Sequence, residues 1–237
     1  MYKEKKILAV ISARGGSKEV PKKNIKELAG QPLISYTINE SKLSKYIDKL
    51  IVSTDDQDIK KVSEDLNCEV PFLRPKYLSS DSAKSVDLLK HAYEFYEEKY
   101  DYLVLLQPTS PFRKYQDIDK CIRLCIDQKV TSAVTISETA KTPFWMYTLK
   151  NQTLSPVIQS KKKISRRQDV EKVYSLNGSV YVLDANFLSG DLINEDTLGV
   201  IVNSLRSMDL DSEIDFLYSE FLILNNHVQI RKNVTNE

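Results

Sequence analysis

The sequence predicts an α/β fold, a mostly parallel sheet with helices on both faces. Three observations predict it. Apolar, β-branched runs such as KILAVISA (residues 6–13) lack the period-two alternation of a half-solvated strand, so they read as strands buried on both faces. These runs alternate with segments of helical spacing, and a βαβα order folds into a parallel sheet through right-handed crossovers. Polar clusters follow the runs, at the carboxyl ends of strands, where open α/β sheets bind their ligands.

KILAVISA is the first strand. PLISYTINESKL (32–43) sets Leu33, Ile34, Ile38 and Leu43 on roughly one side of a helix. DKLIVSTD (48–55) is a second buried strand and ends in Ser53-Thr54-Asp55. QDIKKVSEDLN (57–67) is a helix, and CEVPFLRP (68–75) reads as a short third strand. SVDLLKHAYEFYEEKY (85–100) has the apolar face of a helix. DYLVLLQPTSP (101–111) is a buried strand broken by Pro108. YQDIDKCIRLCIDQK (115–129) is a helix and TSAVTISE (131–138) a strand.

Residues 139–176 break this rhythm. TAKTPFWMYTLKNQTLSP reads as a β-hairpin with Asn151-Gln152 near its turn, and SKKKISRRQDVEKVYS as a polar, basic arm. We expect residues 1–237 to form a single domain with 139–176 inserted as a hairpin and flap. LNGSVYVLD and DTLGVIVN then resume the core as strands. DSEIDFLYSEFLILNN closes the chain as a helix that Asp211 or Ser212 can cap.

The formal charge of the 237 residues is +1, so no global field argues for nucleic acid or a membrane surface. Any anion site must be local. No apolar run approaches the roughly 18 residues of a transmembrane helix. The apolar run near the N-terminus is short and meets Arg14 without a small-residue cleavage pattern, so it reads as a buried strand rather than a signal peptide. Three cysteines do not suggest a disulfide framework, and a reducing cytoplasm is the simplest setting.

The stretch after the first strand, ARGGSKEVPKKN, gathers Arg14, Lys18, Lys22 and Lys23 around Gly15-Gly16. Adjacent glycines let a backbone approach a ligand and turn its N–H groups to an anion, and the cations suit phosphate oxygens. No GK[ST] follows, so this is not a Walker A loop, nor is it G-x-G-x-x-G. Pro21 stiffens the loop, and Asn24 can read a base or ribose edge. The same residues also suit a basic surface turn.

MDLDSEID (208–215) places Asp209 and Asp211 two apart, on one side of an extended segment. Two hard carboxylates suit Mg²⁺, and they equally suit an acidic turn before a helix. LLQPTSPFR offers Gln107, Thr109, Ser110 and Arg113, or is simply a proline-rich turn. FLRPKYLSSDSAKS offers Arg74, Ser79, Asp81 and Ser85, with some serines expected to cap the next helix. His91 and His227 read as structural. Cys121 and Cys125 share a helix face but have no second ligand pair, so they read as core.

In this order, ARGGSKEVPKKN, LQPTSPFR, LNGSVYV and MDLDSEID resemble the acylneuraminate cytidylyltransferase family, the CMP-sialic acid and CMP-nonulosonate synthetases. The resemblance covers nearly the whole chain, and its first motif is the most specific because the pattern is long. CMP-Kdo synthetases resemble it in fold but carry a different loop, without the K-N ending. The resemblance implies a Rossmann-like nucleotidyltransferase fold of mixed, mostly parallel sheet, a homodimer joined through the hairpin and flap, and the use of CTP and Mg²⁺. It implies that a nine-carbon 2-keto sugar acid attacks the α-phosphate of CTP through its anomeric hydroxyl. By carry-over, Arg14 and Lys23 would hold the triphosphate, and Asn24, Arg74 and Ser85 would surround the cytidine. Gln107 and Asn177 would lie on the sugar side. Asp209 and Asp211 would hold the metal, with Asp211 also a candidate catalytic carboxylate.

The chain departs from the family at two positions. Ser175 stands where bacterial sialic acid enzymes carry an arginine before the N-G dipeptide, and Trp145 where they carry a hairpin lysine. Arg167 resembles another arginine of the family's flap. Fewer cations and an added aromatic suggest a less polar acyl-sugar pocket, so legionaminic and pseudaminic acids compete with N-acetylneuraminate as the expected acceptor. A sugar-nucleotide pyrophosphorylase of different base, or a non-catalytic nucleotide-binding module, stays open from the residues alone.

Overall fold

The computed structural model describes residues 1–139, 141–159, 166 and 171–231. The chain opens with β1 (Ile7–Ser12), then β2 (Glu27–Leu28) and β3 (Gln31–Pro32), which close around the left-handed Ala29-Gly30 turn. Next come α1 (Leu33–Lys42), β4 (Lys49–Ser53), α2 (Gln57–Asp65), α3 (Ser85–Phe95), β5 (Tyr102–Leu106), α4 (Tyr115–Gln128) and β6 (Ser132–Glu138). A hairpin, β7 (Tyr147–Lys150) and β8 (Thr153–Pro156), precedes β9 (Tyr174–Asp184), β10 (Leu198–Ile201) and α5 (Glu213–Leu224).

Six strands form the main sheet in the order β10-β6-β9-β5-β1-β4. The pairs β1–β4, β1–β5 and β6–β10 are parallel, whereas β9 runs antiparallel between β5 and β6. The sheet is therefore mixed and mostly parallel, as expected. Alternate residues of the strands serve opposite faces. Ile7, Ala9 and Ile11 pack with α1, α2 and α4 through Ile34, Ile38, Ile59 and Ile122. Leu8 and Val10 pack on the other face against α3 through Val86 and Leu89. A third cluster joins α5 to the β2–β3 ribbon and Phe112. That double-sided burial is why these strands read as continuous apolar runs.

The chain leaves β1 toward β4 on one side and returns to β5 on the other, so the strand order reverses between β1 and β5. Their carboxyl ends border the crevice where doubly wound sheets bind ligands.

Some expectations give way. CEVPFLRP is not a strand: only Glu69 and Leu73 bridge to β4, at Ile51 and Thr54. Pro71 lies between them and has no N–H for a ladder. The helix expected over 85–100 stops at Phe95. Leu43 caps α1 at the surface instead of joining its buried face. The hairpin is as expected. Asn151 and Gln152 take φ of 47° and 64°, the left-handed pair that a two-residue turn requires. Most of the basic arm, including Arg167, lies outside the described residues.

Candidate active site

The chain leaves β1 at Ser12, and Ala13 adds one more rung by donating its N–H to Ser53 O at 3.1 Å. The glycine loop follows, and a short 3₁₀ turn at Lys23–Ile25 returns it to the protein. Gly15 is sterically required: a Cβ there would lie 2.5 Å from the Asp56 carboxylate. Gly16 faces open space. The Gly15 N–H, expected to be free for an anion, instead donates to Asp55 Oδ1 at 3.0 Å. Strand ends therefore hold the loop, and its side chains rather than that amide face the ligand space.

A cleft of about 270 Å³ opens at the β1–β5 reversal. Arg14, Lys23 and Asn24 line one wall, Gln107 and Thr109 from the end of β5 a second, and Asp209 and Asp211 a third. Ser85, the first residue of α3, also lines it. Eight residues singled out from sequence thus converge on one space: Arg14, Lys23, Asn24, Ser85, Gln107, Thr109, Asp209 and Asp211.

The acidic wall is fastened to the β5 end, since Leu210 N–H donates to Thr109 O at 2.9 Å. Ser212, not Asp211, caps α5, in a reciprocal box with Asp215. Asp211 is thereby left to the cleft, where Lys23 Nζ meets it at 2.8 Å. Asp209 is exposed to the cleft, yet the atoms crowding it exclude part of its hydration. That desolvation raises the Asp209 pKa, and the Asp211 charge adds to the rise, opposed by a Thr109 hydrogen bond and by Lys23. The two carboxylates, Asp209 and Asp211, on one side of the cleft are a donor set for a hard divalent cation. Mg²⁺ needs few protein ligands and keeps positions for phosphates and waters. No cluster of three or more His, Cys, Asp or Glu side chains that could hold a metal occurs among the described residues.

The other loop cations also meet carboxylates, Arg14 doing so while lining the cleft. Arg14 Nη1 binds Asp81 at 2.8 Å, Lys18 binds the same carboxylate at 2.5 Å, and Lys22 reaches Asp58 at 2.6 Å. The Lys18 and Arg14 bonds hold the Asp81 pKa below its usual value. Asn24 is buried and donates its amide to Arg14 O at 2.9 Å, so this group braces the loop. Arg74 does not line the cleft. It is buried behind Ser12, donating to Ser12 Oγ and Ser79 Oγ at 3.0 Å each, with Asp55 4.0 Å away. Burial lowers its pKa, and Asp55 works against that. No serine caps α3: its N-cap is Lys84, without a side-chain cap.

Asn177 is buried in β9 and accepts from Thr135 Oγ1 at 2.7 Å and from Ser179 N–H at 3.1 Å. The next residue, Gly178, has φ +72°, and a Cβ there would stand 2.5 Å from Gln107 Oε1. The N-G dipeptide thus abuts Gln107 without itself lining the cleft. Ser175 and Trp145 are exposed, and neither is among the cleft's lining residues. Ser12, Ser17 and the pairing roles of Asp55 and Asp81 went unread from sequence, although Asp55 belongs to the polar cluster at its strand's end. Their only signal was their place at or just after strand ends.

A family model described as Cytidylyltransferase matches residues 8–188. The chain is 34% identical to the CMP-N,N'-diacetyllegionaminic acid synthase of Legionella pneumophila, over 92% of this chain and 96% of that one. It is 32% identical to the N-acylneuraminate cytidylyltransferase of Escherichia coli, over 89% of this chain and 50% of that longer protein. Among solved structures, a CMP:2-keto-3-deoxy-manno-octonic acid synthetase complexed with CTP superposes with a TM-score of 0.71 at 15% identity, covering 93% of this chain and 99% of that one. The family expected from the motifs and the fold expected from the strand pattern both agree with these findings.

Proposed function

The chain belongs to the cytidylyltransferase family, and we propose that it transfers CMP from CTP to the anomeric hydroxyl of a nine-carbon 2-keto sugar acid. The observation that carries this reading is the single cleft where Arg14 and Lys23 face Asp209 and Asp211 across the end of β5. The anomeric oxygen forms a bond to the α-phosphorus, the bond from that phosphorus to the bridging oxygen breaks, and pyrophosphate leaves while the hydroxyl proton is released. Such transfer is mostly positioning and charge neutralisation.

Arg14 and Lys23 bind and neutralise the phosphates. Asn24 keeps Arg14 in place through the loop carbonyl, and Arg74 holds Ser12 and the end of β1. Asp209 and Asp211 hold Mg²⁺, which when bound supplies Lewis-acid neutralisation of phosphate charge. Gln107, backed by Gly178 and Asn177, faces the sugar acid. Two carboxylates and two cations converging on one cleft are poorly explained by a non-catalytic module, because a binding site alone gains nothing from a desolvated Asp209.

The reading extends to the acceptor. The full-length similarity to a CMP-N,N'-diacetyllegionaminic acid synthase, together with Ser175 and Trp145 in place of cations, supports legionaminic or pseudaminic acid over N-acetylneuraminate. It extends also to a homodimer that works in the cytoplasm. Cys68, Cys121 and Cys125 are free and buried, which fits a reducing compartment. No helix among the described residues is long and apolar enough to cross a membrane.

The test is pyrophosphate release with CTP and Mg²⁺, comparing N-acetylneuraminic, legionaminic and pseudaminic acids, with UTP and GTP as controls. Release with legionaminic or pseudaminic acid supports the reading and names the sugar. Faster turnover of N-acetylneuraminate than of both rejects the acceptor argument. A preference for UTP or GTP rejects the base. Asp209→Ala should lower turnover by about two orders of magnitude or more, and unchanged turnover would reject the metal assignment.

A further inference from the structure

The ladder between β5 and β9 ends at Leu106↔Val180. One step further it would pair Gln107 with Ser179. The strands part there instead, because Pro108 has no N–H to donate and Gly178 turns β9 away at φ +72°. Arg113 occupies the gap. Its side chain is among the largest that are fully buried. Nη1 donates to two main-chain carbonyls, Gln107 O at 3.1 Å and Ser179 O, and Nη2 donates to Thr37 Oγ1 of α1. One guanidinium therefore replaces the missing rung and ties it to a helix.

A buried cation is costly, and among the described residues Arg113 makes no ion pair. Burial pulls its pKa down to about 10, against the pull of Glu40 and Asp117, so it stays charged at neutral pH. Packing alone would be met by an apolar side chain of similar volume. What the guanidinium adds is geometry. The two carbonyls it joins flank the cleft's Gln107 and the Asn177-Gly178 turn, where the Gln107 side chain already sits against Gly178 with no room for a Cβ. The Nδ2 atom of Asn177 is buried there without a hydrogen-bond partner.

We propose that Arg113 is a positioning residue for the acceptor: it sets the spacing between Gln107 and the Asn177-Gly178 turn, and through them the shape of the sugar-acid subsite, without touching substrate. The acceptor part of this rests on the cytidylyl-transfer reading above.

Two substitutions separate clamp from filler. Arg113→Lys keeps the charge but loses the planar fork that reaches both carbonyls and Thr37. Arg113→Met keeps much of the volume and loses both, and Lys serves alone if Met does not fold. Hydrogen exchange read by mass spectrometry should quicken over residues 103–111 and 176–183 and stay unchanged over β1 and β4. In turnover, the KM for the sugar acid should rise about ten- to hundredfold while that for CTP changes by less than about twofold. In a Gln107→Ala background, Arg113→Lys should add little further, because both act through one side chain. Exchange that is unaltered or that rises evenly overturns the proposal, as do equal rises in both KM values or effects that multiply in the double variant. If the wild-type protein turns over none of the three acids, the reaction reading falls on its own. The exchange pattern then still decides whether Arg113 joins the two strand ends.

Discussion

Arg14 and Lys18 share Asp81, Lys22 has Asp58, and Lys23 has Asp211, so each cation gathered around Gly15-Gly16 already meets a carboxylate. An incoming triphosphate must compete with Asp81 for Arg14. Both sides of that contact are substantially exposed, so it is weak and screened by salt. Asp81→Asn should therefore tighten CTP binding by about two- to fivefold at low salt, with the gain shrinking as salt is added. Titration calorimetry at two ionic strengths reads this directly, and weaker binding would mean that Asp81 orders the loop for its ligand. The sign with pH is set by the lowered Asp81 pKa. The pair is fully formed above the ordinary carboxylate range and lost only as pH falls through the depressed value, so the effect of the substitution should be flat around neutral pH. The cations and their phosphate chemistry were legible from residue type alone. Their partners were not, because Asp81 and Asp58 lie 67 and 36 positions away in sequence and meet the loop only through the fold.

At the scale of elements, the residue after Asp55 shows how a helix cap also supports the glycine loop. Asp56 caps α2 by accepting from the N–H groups of Asp58 at 2.8 Å and Ile59 at 3.0 Å. The same side chain fills the space where a Cβ of Gly15 would lie. Asp56→Ala should cost about 1 kcal/mol through the lost cap, lowering the melting temperature by roughly 2–4 °C. Gly15→Ala should be destabilising alone and partly rescued in the Asp56→Ala background, which removes the carboxylate at 2.5 Å but leaves Asp56 Cβ at 2.8 Å. Calorimetric melts of the three variants check this, and additive losses would refute the contact. Buried strands and amphipathic helices were legible because their periodicity is local. CEVPFLRP was misread because a strand is decided by its neighbour, and only Glu69 and Leu73 find partners on β4. The antiparallel course of β9 was equally invisible, since an apolar run reads alike in either direction.

At the scale of the molecule, the hairpin and α5 leave large apolar side chains uncovered among the described residues. Both strands of the β7–β8 hairpin are exposed along their length, with Leu149 70% and Leu154 62% accessible. A lone two-stranded hairpin is marginal in water, so this one needs a surface to rest on. The outward side of α5 presents Ile214, Leu217, Phe221 and Leu224, although its other side already packs against the β2–β3 ribbon. Contiguous apolar surface of this kind marks association in a soluble chain. Packing the hairpin of one copy against that of a second copy would bury it by self-complementary contact, as a two-fold dimer requires. The protein should therefore sediment as a dimer at micromolar concentration. Leu149→Asp with Leu154→Asp should shift it to monomer, because each carboxylate would have to be desolvated in the interface. Arg14, Lys23, Asp209 and Asp211 of the cleft all come from one chain, so the monomeric variant should still bind CTP with near wild-type affinity. A wild-type protein that sediments as a monomer would refute the dimer. A monomeric variant that loses CTP would instead show that the nucleotide cleft depends on the second copy, and the hairpin would then be part of the site.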